Sequence, residues 1–363
     1  MIFFSYFSKQ FLSQLITQSL ISKNSAEFYF FKNILTSEHV FIIGDKYEYR
    51  SLIGKLKNKI STQSTFYFID LLLNNSKWVN SENINQSKLK EINIDYYFDV
   101  EKNFQKKENI DNFLTAETIN KWDFDNLIKN LSNGDKPLEL KCKAKQNLDV
   151  FEKTNEYLNF VKCFEKLVSF SNYIIIYDKY ISSQLVFPKG NYIEKNFTFA
   201  EAYNDTLDFF SKKILNKSLV KNINCKIICI FDPKHNKFIE SVNREKNEKN
   251  YEQYSKEFFS NIGKFNGSMH IKDGNYRHNS EDKFAQLFDL LHDRYFLFFD
   301  TNNNLLRMIN FKNGFDFIKR KSNKTRDYMF TPEKKIAYES VVKNKIDILE
   351  NEEFDMFRFK NSA

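Results

Sequence analysis

Two short runs in the second half of the chain, Tyr173-Ile-Ile-Ile-Tyr177 and Lys226-Ile-Ile-Cys-Ile-Phe231, most constrain what it can fold into. Apolar, β-branched runs of this length, closed by Asp178 and by Asp232-Pro233, read as buried strands. Between and before them the apolar residues fall at helical spacing. Phe151 to Phe170 presents Tyr157, Phe160, Val161, Phe164 and Leu167 on one face, and Thr198 to Leu215 reads as a second helix. Alternation of helix and buried strand predicts an α/β layer. The pattern continues with a helix over Tyr251 to Ile262, a short strand over Ser268 to Ile271 and a longer one over Leu290 to Phe299. A turn at Asp300-Thr-Asn-Asn-Asn304 leads to a hairpin partner, Leu305 to Phe311, and the chain closes with a helix over Glu333 to Leu349.

The first half is less sharply patterned. Phe7, Phe11, Leu12, Leu15, Ile16 and Ile21 predict one amphipathic helix, too short in its apolar face to span a membrane. His39 to Ile43, Thr65 to Leu73 and Asp95 to Val100 read as strands, Ser51 to Lys59 as a helix, and Glu108 to Leu131 as mostly helical. The turn Asn133-Gly134-Asp135-Lys136-Pro137 marks a change in composition. The division expected from it is an N-terminal α/β domain over 1–147, a second domain over 148–321, and a polar helix and tail over 322–363.

Composition narrows the class. A net charge of +8 gives mild attraction for phosphates without a histone-like excess. The 40 Phe and 19 Tyr stand beside many Lys, Asn and Ile, as an AT-rich genome would produce, so they do not by themselves indicate base stacking. Cys142, Cys163, Cys225 and Cys229 lack metal-site spacing and suit a reducing compartment. The amino terminus has no secretory leader pattern, which points to a cytoplasmic protein. No metal and no cofactor are expected, and a membrane partner is disfavoured, with binding to a membrane surface kept as a third alternative.

Leu290-Leu-His-Asp-Arg-Tyr-Phe-Leu-Phe-Phe-Asp300 is the most unusual stretch. Three titratable or charged groups, His292, Asp293 and Arg294, open an otherwise apolar strand. Such groups must be paired or face a cleft, because burying them unpaired costs several kcal/mol. His292 and Arg294 share a face in a regular strand. The stretch resembles the His-x-Lys motif of the phospholipase D superfamily, with Arg294 in place of Lys and Asp300 one residue beyond the usual spacing. His-Asp-Arg before a hairpin, followed by Asn310-Phe-Lys-Asn-Gly-Phe-Asp-Phe317, is similar to the C-terminal domain of MIT-domain-containing proteins. The strand ending Tyr177-Asp178-Lys179-Tyr180-Ile181 is similar to the Asp-Pro-Tyr-Ile segment of those domains, with Lys179 in place of Pro.

The resemblance covers about Glu152 to Lys321 and implies a phospholipase-D-like α/β half-domain with a mixed sheet. It implies a phosphate-binding site at His292, Arg294, Asp178, Lys179 and Asp293, with catalysis lost in many relatives. If catalysis persists, His292 attacks phosphorus, Arg294 holds the phosphoryl oxygens, Asp300 or Asp178 orients the imidazole, and no metal is needed. Related domains in prokaryotic antiviral systems make nucleic acid or a nucleotide the expected ligand. A two-histidine mechanism would need a second histidine, which a homodimer can supply. His270, Lys272 and Arg277 are further candidates for phosphate contact. The alternative is a structural or protein-binding module in which the His-Asp-Arg cluster is an ion-pair network. A weaker signal is Glu139-Leu-Lys141, the Glu-x-Lys half of a metal-dependent nuclease core, which needs Asp95 or Asp99 on an adjacent strand.

Overall fold

The computed structural model describes residues 2–60, 62–79, 94–100, 113–142, 152–178, 206–217, 223–231, 266–271, 294–300, 302–312, 326–350 and 356–359. The predicted helix at Tyr251 to Ile262 lies outside them. The fold is α/β and the chain divides into two compact units, Met1–Lys136 and Pro137–Ala363. Each unit carries its own sheet.

The first sheet has five strands: β1 (Phe3–Phe7), β2 (Val40–Ile43), β3 (Lys77–Val79), β4 (Tyr96–Phe98) and β5 (Phe113–Leu114). Their order is β3-β2-β1-β4-β5, and all neighbours run parallel. Helices α1 (Lys9–Thr17), α2 (Ala26–Thr36), α3 (Lys46–Leu56), α4 (Gln63–Asp70) and α5 (Phe124–Ser132) send their apolar faces into one core with β1, β2 and β4. Aromatic rings dominate that core. Phe7 stacks on Phe98 at 4.4 Å between centroids, and Phe30 and Phe31 pack edge-on against Trp122, which leans on Phe98. Such pairs add about 0.5–1.5 kcal/mol each beyond area burial.

Two expectations fail in this unit. The opening segment is not one helix, because Phe3–Phe7 forms the central strand and α1 begins only after Ser8 caps it by accepting from the Phe11 amide. Thr65 to Leu73 is not a strand. Thr62 caps α4, Phe68, Ile69 and Leu72 turn toward the core, and the helix ends in a π turn over Leu71–Asn75. A cap plus a ready-made aromatic core overrides the β-propensity of that run.

The second sheet is mixed and has eight strands. They are β6 (Leu138–Cys142), β7 (Tyr173–Tyr177), β8 (Asn224–Phe231), β9 (Asn266–Ile271), β10 (Tyr295–Phe299), β11 (Leu305–Phe311), β12 (Arg326–Glu333) and β13 (Met356–Phe359). Their order is β13-β9-β8-β7-β10-β11-β12-β6. β7, β8 and β9 are parallel, and β10 pairs antiparallel with β7 on its other side. One face packs on helix α6 (Asn155–Ser169), whose Phe160 and Phe164 meet Phe296, Phe298 and Phe330. The other face, including Ile175, Leu297 and Met308, packs against Val342 and Ile346 near the C-terminus. Burial on both faces explains why Tyr-Phe-Leu-Phe-Phe reads as an unbroken apolar run rather than an alternating one.

The sheet also redraws the expected division. β6, placed before residue 147 in the first domain, pairs with β12 and belongs to the second sheet. The segment after 321, expected to be helix and tail, supplies both β12 and β13 as well as helix α7 (Lys343–Glu350).

Candidate functional site

In open parallel α/β sheets ligands bind outside the carboxyl ends of the strands where the strand order reverses. Here β10 runs antiparallel to β7, so the reversal sets the carboxyl end of β7 beside the amino end of β10. In the second unit the chain steps from β7 to β8 to β9, then returns to the other side of β7 as β10. The reversal lies between β7 and β10. The residue that follows β7 is Asp178, and the residue that precedes β10 is Arg294.

These two residues meet there. The Arg294 Nε donates to Asp178 Oδ1 at 3.0 Å. The Asp178 side chain is completely buried, whereas that of Arg294 is 17% exposed. The Asp178 amide donates to the Ile228 carbonyl, which ties the carboxylate to β8 as well as to β7. On the other side the Arg294 carbonyl accepts from the Phe311 amide, so the backbone under the guanidinium is held by β11. A buried carboxylate thus holds a partly exposed cation at the strand-order reversal. The geometry suits an oxyanion: bonding through Nε fixes the plane of the guanidinium, and a planar fork recognises phosphate by direction as well as charge.

The other expected site residues fall differently. Asp300 is a turn residue. Its Oδ1 accepts from the Asn302 and Asn304 amides at 2.8 Å each, and its Oδ2 accepts from the Asn304 side-chain amide at 3.2 Å. It closes the β10–β11 hairpin with Asn303 in the left-handed region at φ 60. It stands at the opposite end of β10 from Arg294, about 17–20 Å away at the usual strand rise. The expectation that Asp300 orients a histidine beside Arg294 is therefore corrected. Its Asx-type turn chemistry explains its presence. His270 lies on β9, paired in register with Met356 and Ile230. His292, Asp293, Lys179, Lys272 and Arg277 lie outside the described residues.

The Glu-x-Lys alternative is not assembled as expected. Glu139 and Lys141 sit on β6, whose sheet neighbour is β12, while Asp95 and Asp99 flank β4 in the other sheet. The Asp95 Oδ2 is used at home, accepting from the Phe4 amide at 2.8 Å. Among the described residues no group of three or more His, Cys, Asp or Glu is placed to hold a metal ion. Cys225 is buried and its thiol is pushed well up by desolvation, so it is an inert core residue.

The first unit has its own reversal, between β1 and β4, and sequence reasoning missed it along with β1. Among the described residues, the carbonyls that end β1 and β4 are both taken. Ser8 continues the pairing by donating its amide to the Phe98 carbonyl, and the Tyr49 hydroxyl donates to the Phe7 carbonyl. The ring of Tyr49 lies over Gly44, where an added Cβ would come within 2.7 Å of it. A glycine-rich phosphate cradle is missing from this first strand-to-helix turn, which runs Phe7-Ser8-Lys9.

Among the described residues no helix is long and apolar enough to cross a membrane. Neither a protein-family model, nor a curated protein, nor a solved structure gives a significant match to this chain.

Proposed function

We propose that the second unit binds a phosphate group of a nucleic acid or nucleotide at the β7–β10 reversal, as part of a prokaryotic antiviral-defence protein working in the cytoplasm. The observation that carries the reading is the pairing of a completely buried Asp178 with a partly exposed Arg294 outside the carboxyl end of β7. The resemblance to phospholipase-D-like domains supports the choice of phosphate and the defence setting, and the net charge of +8 favours a polyanion. Binding without turnover is the version we favour. Asp178 gives Oδ1 to Arg294, and Asp300 is tied up in a hairpin at the far end of β10, so Asp300 is not placed beside Arg294.

The test is a binding titration of a fluorescent mononucleotide and a labelled oligonucleotide, in EDTA, at several salt concentrations. Arg294→Lys keeps the charge and loses the fork, and should weaken binding about tenfold or more. The pair Asp178→Asn with Arg294→Gln removes both charges together, which avoids stranding a buried carboxylate. Wild-type affinity in that double variant would sink the reading. Metal-independent cleavage of the oligonucleotide would show instead that the site is an enzyme.

A further inference from the structure

We propose that the outward face of α3, in the first unit, is a docking surface for the phosphate backbone of a polynucleotide. Helix α3 buries Tyr49 and Ile53 and turns Tyr47, Arg50, Gly54 and Lys55 outward, with Lys57 and Lys59 exposed on the 3-10 turn that follows. Tyr47 is 78% exposed. The helix has one acidic residue, Glu48, and the Lys9 ammonium takes it at 2.8 Å. Among the described residues none of Arg50, Lys55, Lys57 or Lys59 makes an ion pair, so four cations stand uncompensated along one edge of the unit.

Gly54 is the second observation. Glycine is the least favourable residue in a helix interior after proline. A Cβ built at Gly54 would meet nothing within 4 Å, so packing inside the protein does not ask for glycine there. At 100° per residue Gly54 lies at the centre of the outward face, with Arg50 and Lys57 on one side and Lys55 on the other. A smooth floor between cations lets a phosphate backbone approach the helix closely. A lipid surface would call for several apolar side chains on this face, and Tyr47 is the single large one.

The inference narrows the reading above from nucleotide to polynucleotide and rests on it for the choice of polyanion. The two surfaces can be tested apart. Fluorescence anisotropy with a 20-base-pair duplex and a 20-nucleotide strand compares wild type with a variant carrying R50Q, K55Q, K57Q and K59Q; these probe lengths, about two helical turns, give room for several phosphate contacts. We expect at least about a tenfold loss of affinity for one or both probes, and a log–log salt slope shallower by about 3 to 4 on the duplex. Mononucleotide binding should be unchanged. Gly54→Ala should raise the melting temperature by about 2 °C and still weaken polynucleotide binding. Unchanged affinity and slope in the four-residue variant overturn the proposal, as does wild-type binding to phosphatidylserine vesicles as tight as to either probe. If mononucleotide binding is absent in wild type while the α3 variant loses the polynucleotide, the second-unit reading fails and this one stands.

Discussion

Both units are α/β layers with a strand-order reversal, yet the two reversals have opposite chemistry. Between β1 and β4 the Ser8 amide donates to the Phe98 carbonyl, and beside it the Tyr49 hydroxyl donates to the Phe7 carbonyl while its ring covers Gly44 at the end of β2. Between β7 and β10 the edge holds an ion pair with one member buried and the other part-exposed. Topology therefore supplies a location in each unit, and side chains decide whether anything can use it. A tyrosine that caps a strand is a sealing group. A carboxylate sunk beneath an arginine costs desolvation that hydrophobic residues of similar volume would avoid, and is better explained by what the arginine does.

The largest effect that would sharpen this contrast is Arg294→Ala. It leaves Asp178 charged and buried, and should destabilise the second unit by about 3–5 kcal/mol, read as a lower denaturant midpoint. A loss under about 1 kcal/mol would mean that the pair is solvated like a surface bridge, and the contrast would collapse. Next is Tyr49→Phe, which removes the hydroxyl from Phe7 and should cost about 1–2 kcal/mol in the first unit without touching phosphate binding. A gain of nucleotide affinity in that variant would show that Tyr49 gates a usable site rather than sealing a spent one. Asp300→Ala should cost about 1 kcal/mol through the hairpin and leave binding unchanged. A binding defect there would restore Asp300 to the site.

The smallest effect is a pH dependence seen only on the alkaline side. Burial first and Asp95 second push the Tyr96 and Tyr97 hydroxyls up to about 12. A folded-state value above the unfolded one, about 10, favours the protonated form in the fold. The stabilisation is complete below about pH 10 and is lost as pH rises from there toward 12. Tyrosinate absorbance should lag behind that of the unfolded chain over this range. Coincident titration curves would show that the first unit is looser than its packing indicates.

Much of the second sheet was legible because β7, β8 and β10 are short apolar runs ended by Asp178, Asp232 and Asp300, with β11 following an Asn-rich turn, and burial on both faces leaves no competing period. The first unit was harder to read. Phe3–Phe7 shares its last residue with the apolar stripe of α1, so one helix fits the letters as well as a strand, a cap and a helix. Asp178 and Arg294 were each visible as charged ends of strands. Their pairing spans 116 residues and depends on β10 returning beside β7, which local pattern does not encode. Asp300 shows the opposite error. The turn chemistry of Asp300-Thr-Asn-Asn-Asn304 was plain in the letters, but the family's spacing suggested a catalytic role. The α3 surface went unread because isolated lysines and one glycine signify little until burial shows that they share a face.

The early departure of the chain into β6 has a practical outcome for anyone dividing the molecule. Pro137 is followed at once by Leu138, the first residue of an edge strand of the second sheet. A cut made after residue 147 would carry that strand away with the wrong partner and lay bare the flank of β12, with its buried Tyr328 and Phe330. Such a fragment would offer an unpaired, aromatic ribbon to its own kind and should come out of expression as inclusion bodies. A cut between Lys136 and Pro137 keeps the ribbon covered, and that is where two independently folding pieces should be sought.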